Sequence, residues 1–290
     1  MPARIIAIIA SYLFPCLLAT AGWASEPVKK PESLPLLTVR VLAVQGVDDD
    51  GGRACRITVK EVKALVAEAN RIYEPARVQF AFRGDGEDFV QLRNTRINSL
   101  MPGDRQADSE KQAPGVGTPK ERNQAAAQFA AQHPDCMVVF FRYGDKRKGA
   151  TGGGYSGSGA KYVVMPGLRS TNMGLRGLAH EAGHYFGLSH TFGRSFHSVE
   201  DAEKYLREHN NDLSVFDGDK LSDTPPDPRI GGGKDSIELN GITVPLPRGN
   251  IMSYRRWDHH EWLSPQQANI VRASVCRRFG DKHQEDTHSG

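Results

Sequence analysis

Apolar positions along this chain recur at two periods, and each period predicts an element. LLTVRVLAV, from Leu36 to Val44, is apolar and β-branched enough for a strand. After the polar turn QGVDDDGG, Val59, Val62, Leu65, Val66, Ala69 and Ile72 repeat at helical spacing. Thr58 with Glu61 reads as a capping box at the start of that helix, and Ile57 with Val62 as its hydrophobic staple. VQFAF, from Val78 to Phe82, predicts a second strand, and Asn98 to Gln112 an irregular loop. Thr118, Pro119 and Glu121 open another helix, with proline at the position where its missing N–H costs nothing. That helix leads into CMVVFF, a buried strand. GATGGGYSGSGAKYVVMPG then offers a bend and a short strand near Lys161 to Met165. Its glycines lack the G-x-x-x-x-G-K-[ST] order and precede a strand, so they predict a turn and not a phosphate loop.

A helix from about Asn172 to Leu188 follows, which completes an α/β order. From Ser189 the chain is loop-rich, with a helical patch near SVEDAEKYLREH. It closes on a helix with a third capping box at Ser264, Pro265 and Gln267 and a stop signal at Gly280. No internal repeat is present.

The helix before Leu188 carries the chemistry. In HEAGHYFGLSHTF, His180 and His184 are four apart and stack on one face, one turn from each other, so both can aim a ring nitrogen at one point. A continuing helix would carry His190 roughly 9 Å further along the axis. Gly187 resolves this, because glycine readily adopts the left-handed conformation that ends a helix and turns the chain back. Three imidazoles suit zinc and leave a position for water, the mark of a catalytic rather than a structural site. Glu181, beside His180, fits a general base and then a proton donor to the leaving amine, without being a ligand. Composition alone would place this pattern in such a chain on the order of 10⁻⁴ times.

HEAGHYFGLSH matches the metzincin signature H-E-x-x-H-x-x-G-x-x-H. With GLSHTF, LSDTPPDPR, NIMSY and LSPQQANIVR, the chain resembles the pappalysin family of metzincin zinc peptidases over about residues 150 to 277. The resemblance implies zinc on His180, His184 and His190, a catalytic Glu181, and Met252 as the Met-turn floor beneath the metal. Tyr254 would stabilise the oxyanion, with a packed turn tyrosine as the alternative role. The strand near Lys161 to Met165 would be the edge along which an extended peptide adds. The family also implies calcium, for which Asp217, Asp219 and Asp223 offer oxygen ligands; a solvated acidic loop is the competing reading. The implied fold is an α/β (α+β) metzincin-like zincin. Its N-terminal lobe, residues 36–188, would hold a twisted mixed sheet and two to three helices including the zinc-binding one. A small irregular C-terminal lobe, 189–280, would hold the Met-turn and the final helix. Two departures stand out. Arg255 and Arg256 follow Met252 where relatives often carry acidic residues, and cysteines of the family's C-terminal lobe are missing between Thr191 and Val275.

Composition changes the picture in three ways. Residues 1–24 combine Arg4, an apolar run from Ile5 to Ala21 and small residues at Gly22 and Ala24, the layout of a secretory signal. Residues 25–35 form a short lead, 36–280 one catalytic domain, and 281–290 a polar tail read as disordered. With 37 basic and 34 acidic residues the charges nearly cancel, so neither nucleic acid nor a membrane surface is an expected partner. Cys16 leaves with the signal; of Cys55, Cys136 and Cys276, one pair and one leftover thiol are expected in an oxidising compartment, with Cys136 and Cys276 favoured, a strand tied to the last helix. The expected protein is a secreted zinc endopeptidase acting on protein or peptide substrates. Two rivals are a secreted zinc-containing binding protein without catalysis, for which Glu181 would be superfluous, and a zinc amidase on cell-wall or other small substrates.

Overall fold

The strand expected from LLTVRVLAV lies inside the sheet that organises the molecule. In the computed structural model, described over residues 34–101, 115–144, 154–156, 159, 161–167, 174–230, 234–255 and 261–280, the elements begin with β1 (Leu37–Val47) and α1 (Val59–Tyr73). There follow β2 (Val78–Ala81), β3 (Phe89–Arg93), α2 (Thr95–Asn98), α3 (Pro119–Ala131), β4 (Cys136–Arg142), β5 (Tyr155–Ser156) and β6 (Val163–Pro166). Then come α4 (Gly177–Tyr185), α5 (Val199–Glu208), the hairpin of β7 (Ser236–Leu239) and β8 (Ile242–Pro245), and α6 (Pro265–Phe279). The signal and tail expectations, Arg256, His259 and His260 lie outside the described residues.

The sheet is mixed. Its order is β2-β1-β4-β6-β5, with β3 pairing the C-terminal half of β1; every pairing is parallel except β5 with β6. Both faces are covered, and the two-residue period of a strand sorts the core accordingly. Val39, Val41 and Ala43 of β1, with Met137, Val139 and Phe141 of β4, face α1, α4 and α6. Leu42, Val44, Val138 and Phe140 point the other way, toward Ile97 of α2 and Ala126 and Ala130 of α3. The first face is the one that matters for function, because Ile251, Met252 and Leu263 from the C-terminal third pack into the same cluster. A separate small core joins Ala202 and Leu206 of α5 to Phe216, Ile230, Leu239 and Val244.

All three expected capping boxes form, at Thr58/Glu61, Thr118/Glu121 and Ser264/Gln267, each satisfying two N–H groups that a helix start leaves open. Several expectations need correction. The segment after Phe82 holds β3 and the single turn α2, which is capped by the Asn94 side chain; short elements of this kind have too few periods to register in sequence. The β7–β8 hairpin turns on Asn240 (φ 50°) and Gly241 (φ 77°), both left-handed as a two-residue hairpin loop requires; its signal was the Asn-Gly pair. β6 is not the sheet edge, because the glycine-rich segment returns antiparallel and β5 covers it at Val163 and Val164. Cys136, half-buried at the start of β4, and Cys276, exposed on α6, are both free thiols, so the favoured pairing is absent. Among the described residues no helix is long and apolar enough to cross a membrane.

Tyr73, at the end of α1, shows how the layers lock. Its buried hydroxyl donates to the Ala179 carbonyl of α4 at 2.9 Å, and its ring meets Phe80 edge-on at 5.2 Å. Leu65, fully buried about two turns earlier on the same helix, should tolerate truncation poorly: Leu65→Ala is expected to cost about 2–5 kcal/mol, read as a lowered denaturant midpoint at unchanged slope.

Candidate metal centre

α4 is buried nearly all round: of Gly177–Tyr185 only His184 escapes full burial. A polar side chain on such a helix must find a partner inside the protein. His180 and His184 do so with their Nδ1 atoms, which face the carbonyls of Ile251 at 2.6 Å and Leu188 at 2.8 Å. A carbonyl only accepts, so each Nδ1 carries the hydrogen and each Nε2 presents a lone pair.

The helix then stops as expected. Gly187 has φ 100°, Leu188 donates to the Gly183 carbonyl at 2.8 Å and Gly187 to that of His184 at 3.0 Å, the paired bonds of a Schellman ending. The reversal brings His190 Nε2 to 3.0 Å from His184 Nε2 and 3.2 Å from His180 Nε2. Among the described residues, these histidines are the one group of three or more metal-ligating side chains gathered closely enough to hold an ion. Two of the three nitrogens hold no proton, and His190 can donate to only one of them, so the arrangement lacks the hydrogens to bond itself together. A cation would supply what is missing: tetrahedral bonds of about 2.0–2.1 Å put ligand nitrogens about 3.3–3.4 Å apart. Three imidazoles suit zinc as well as copper, iron or nickel. The donor set is therefore close enough to hold a metal ion, and the choice of zinc rests on the chemistry proposed for it.

The electrostatics agree. Burial, then the neighbouring His184, lowers His180 well below an ordinary imidazole, and burial lowers His184 too. Burial, followed by His184 and Arg229, brings His190 down to about 4. All three are neutral at pH 7, the form that binds metal.

Glu181, the next residue after His180, is only 3% exposed, and burial alone pushes its carboxyl up to about 8. A cation on the histidines would act against that shift. The backbone at Gly154, just before β5, comes so close that a Cβ there would lie 2.7 Å from Glu181 Cγ. Gly154 thus has a task, which is to let the backbone pass close to this carboxylate.

Beneath the helix, Met252 is fully buried, and a Cβ on Gly183 would collide with its sulfur. Its turn is held at several points. Asn250 Oδ1 accepts from Met252 N–H, Arg176 donates to the carbonyls of Ile251 and Ser253, and Thr191 N–H reaches the Met252 carbonyl. Tyr254 emerges from this turn 45% exposed, its ring 5.0 Å from His190 and 5.5 Å from His180. Burial and the nearby Glu181 raise its hydroxyl above an ordinary phenol.

Four residues that sequence reasoning passed over complete the site. Phe192 stacks on His190 at 4.6 Å. Arg229 lies 4.4 Å from the ring centres of both Phe192 and Tyr254. Arg176, just before α4, pairs with Glu261. Asp227 is 0% exposed and accepts from the hydroxyls of Thr191 and Ser253, from Arg255 Nε and from Arg229 N–H. The available signal for Asp227 was its setting, since Pro225, Pro226 and Pro228 stiffen the loop that delivers it. Arg255 is consequently buried against Asp227 and not turned outward after the Met252 turn.

The three aspartates offered as possible calcium ligands do not gather into one metal-sized group, although Asp217 and Asp219 adjoin each other, and each accepts from protein donors. Asp217 accepts from Lys220 N–H, Asp219 from Leu221 N–H and the Thr224 hydroxyl, and Asp223 from Ser264 and Gln266 at the start of α6. The remaining described histidines sit apart from the centre: His133 stacks on Phe129 and His209 on Tyr205.

Searches of protein-family models and of curated proteins each return no match for this chain.

Two measurements test it. Dialysed protein should contain close to one divalent transition metal per chain by elemental analysis, and His190→Ala should lose most of it. The second concerns Glu181 in the metal-free chain. Its folded pKa, about 8, lies above the ordinary 4.5, so the fold holds a proton that the unfolded chain releases. The associated stability is complete below about pH 4.5 and is lost as pH rises toward 8. Denaturant midpoints should accordingly fall over that window for the metal-free wild type relative to metal-free Glu181→Gln.

Proposed function

We propose that this chain is a secreted zinc-dependent endopeptidase of the metzincin type, nearest in its motifs to the pappalysins. The proposal includes a signal peptide over residues 1–24 and one catalytic domain over 36–280. The observation that carries the reading is Glu181: a carboxylate only 3% exposed, adjoining a histidine whose lone pair points at the shared centre. A metal held only for structure has no use for such a group, and a general base does.

When bound by His180, His184 and His190, zinc supplies a Lewis acid and a water of lowered pKa. The protein's own groups do the rest. Ile251 and Leu188 hold the imidazoles in the ligand tautomer through their carbonyls. Glu181 Oε takes the proton of the attacking water and returns it to the leaving amine. Tyr254, whose ring lies beside two of the histidines, offers its hydroxyl to the oxygen on which negative charge develops. Half-exposed, it meets a substrate that arrives from solvent. An extended peptide would lie along β5, the short outer strand of the sheet, so internal bonds of unfolded chains are the natural substrates.

Glu181→Gln keeps the shape and removes the base. Zinc content should stay near one per chain while hydrolysis of denatured protein falls by at least about 10²-fold. Tyr254→Phe should lower kcat by up to about 10²–10³-fold with KM little changed. A folded, zinc-loaded wild type that hydrolyses a peptide library no faster than Glu181→Gln would end the enzyme reading.

A further inference from the structure

The guanidinium of Arg229 has a surrounding that structure alone does not require. It lies against two aromatic faces, Phe192 and Tyr254, each 4.4 Å away. One N–H donates to Ser195 Oγ at 2.8 Å. A guanidinium has five such donors, and among the described residues no carboxylate lies within ion-pair distance of this one. The nearest in sequence, Asp227, has both oxygens engaged elsewhere, by Arg255 and the Arg229 backbone on Oδ1 and by the hydroxyls of Thr191 and Ser253 on Oδ2. Its backbone is also unusual. Arg229 has φ 39°, a left-handed conformation that is unfavourable for a residue with a Cβ, and the Asp227 side chain holds it there. Such strain at a site rim is a recognised sign of function. Among the described residues, Arg229 is the cation stacked on the tyrosine beside the histidines.

We infer that Arg229 selects substrates carrying a carboxylate side chain, aspartate or glutamate, within about two residues of the bond that is cut. The inference rests on the peptidase reading for its geometry. A scissile carbonyl at the Tyr254 hydroxyl places the neighbouring residues of an extended peptide within about 7 Å of it, at about 3.3 Å per residue. That reach includes the guanidinium on the same ring. Stacking fixes the guanidinium plane and leaves its edge donors available for a planar, two-point bond with a carboxylate. A lysine or arginine at the same substrate position meets an uncompensated like charge. Arg255, which follows the Met252 turn in sequence, takes no part, because Asp227 neutralises it in the interior.

Binding tests this independently of hydrolysis. Zinc-loaded Glu181→Gln is titrated with two fluorescent peptides of equal length, one with glutamates and one with lysines flanking the central bond. The acidic peptide should bind about 10-fold more tightly, with a difference that shrinks as salt is added. Adding Arg229→Gln should abolish the difference and Arg229→Glu should invert it. Arg229→Lys, which keeps charge but not the planar fork, should leave a reduced, salt-sensitive preference, and it serves where a neutral variant does not fold. Equal binding of the two peptides, or a preference untouched by Arg229→Gln, overturns the inference. Absence of hydrolysis by the wild type defeats the peptidase reading alone and leaves the binding comparison standing.

Discussion

One carboxylate, that of Asp227, joins the chain segments that surround the histidines. It takes the hydroxyl of Thr191, the residue after the third histidine, and that of Ser253, the residue after Met252. It also takes Arg255 Nε and the Arg229 backbone. The node is wholly buried, and a buried ion pair contributes little net stability because both charges lose their water. Its contribution is positional. Two donors on each carboxylate oxygen, drawn from three segments, fix how those segments lie against one another. The place of His190, the height of the Met252 turn and the aim of Arg229 all follow from that arrangement.

A second constraint acts from the other side of α4. The Ile251 carbonyl accepts both His180 Nδ1–H and a guanidinium N–H of Arg176, which also reaches the Ser253 carbonyl. The same turn that sets the tautomer of the first ligand therefore sits under the helix that carries it. Gly183 makes this possible, since any side chain there would strike Met252. Burial then acts in opposite senses on neighbouring groups. It lowers the imidazoles toward their neutral ligand form and raises Glu181 toward its protonated one. A bound cation favours the first change and opposes the second, which makes its charge the natural complement of the pocket.

The helix starts and the central sheet were legible because their signals are local. Capping residues at Thr58, Thr118 and Ser264 act within four positions of themselves, and the apolar runs of β1 and β4 need no knowledge of their neighbours. The three histidines belong to the same class, for their spacing and the turn at Gly187 are enough to bring them together. By contrast, the aspartates of FDGDKLSD look like cation ligands until the start of α6 supplies N–H and hydroxyl donors to Asp223. Cys136 and Cys276 look like a pair until their separate surroundings are known.

From sequence alone came the α/β order, the cluster of three histidines close enough to hold a metal and the position of a candidate base, because each depends on periodicity or on spacing within one helix and its turn. Tertiary structure alone decided which groups stand across from one another. Asp227 lies 37 residues beyond His190 and its role as a hub exists only when Thr191, Ser253 and Arg255 are folded around it. Arg229 becomes a feature of the site only through the faces of Phe192 and Tyr254, which meet it from two distant segments. Such contacts form between residues far apart in the chain, and no local pattern of hydrophobic and polar positions encodes them.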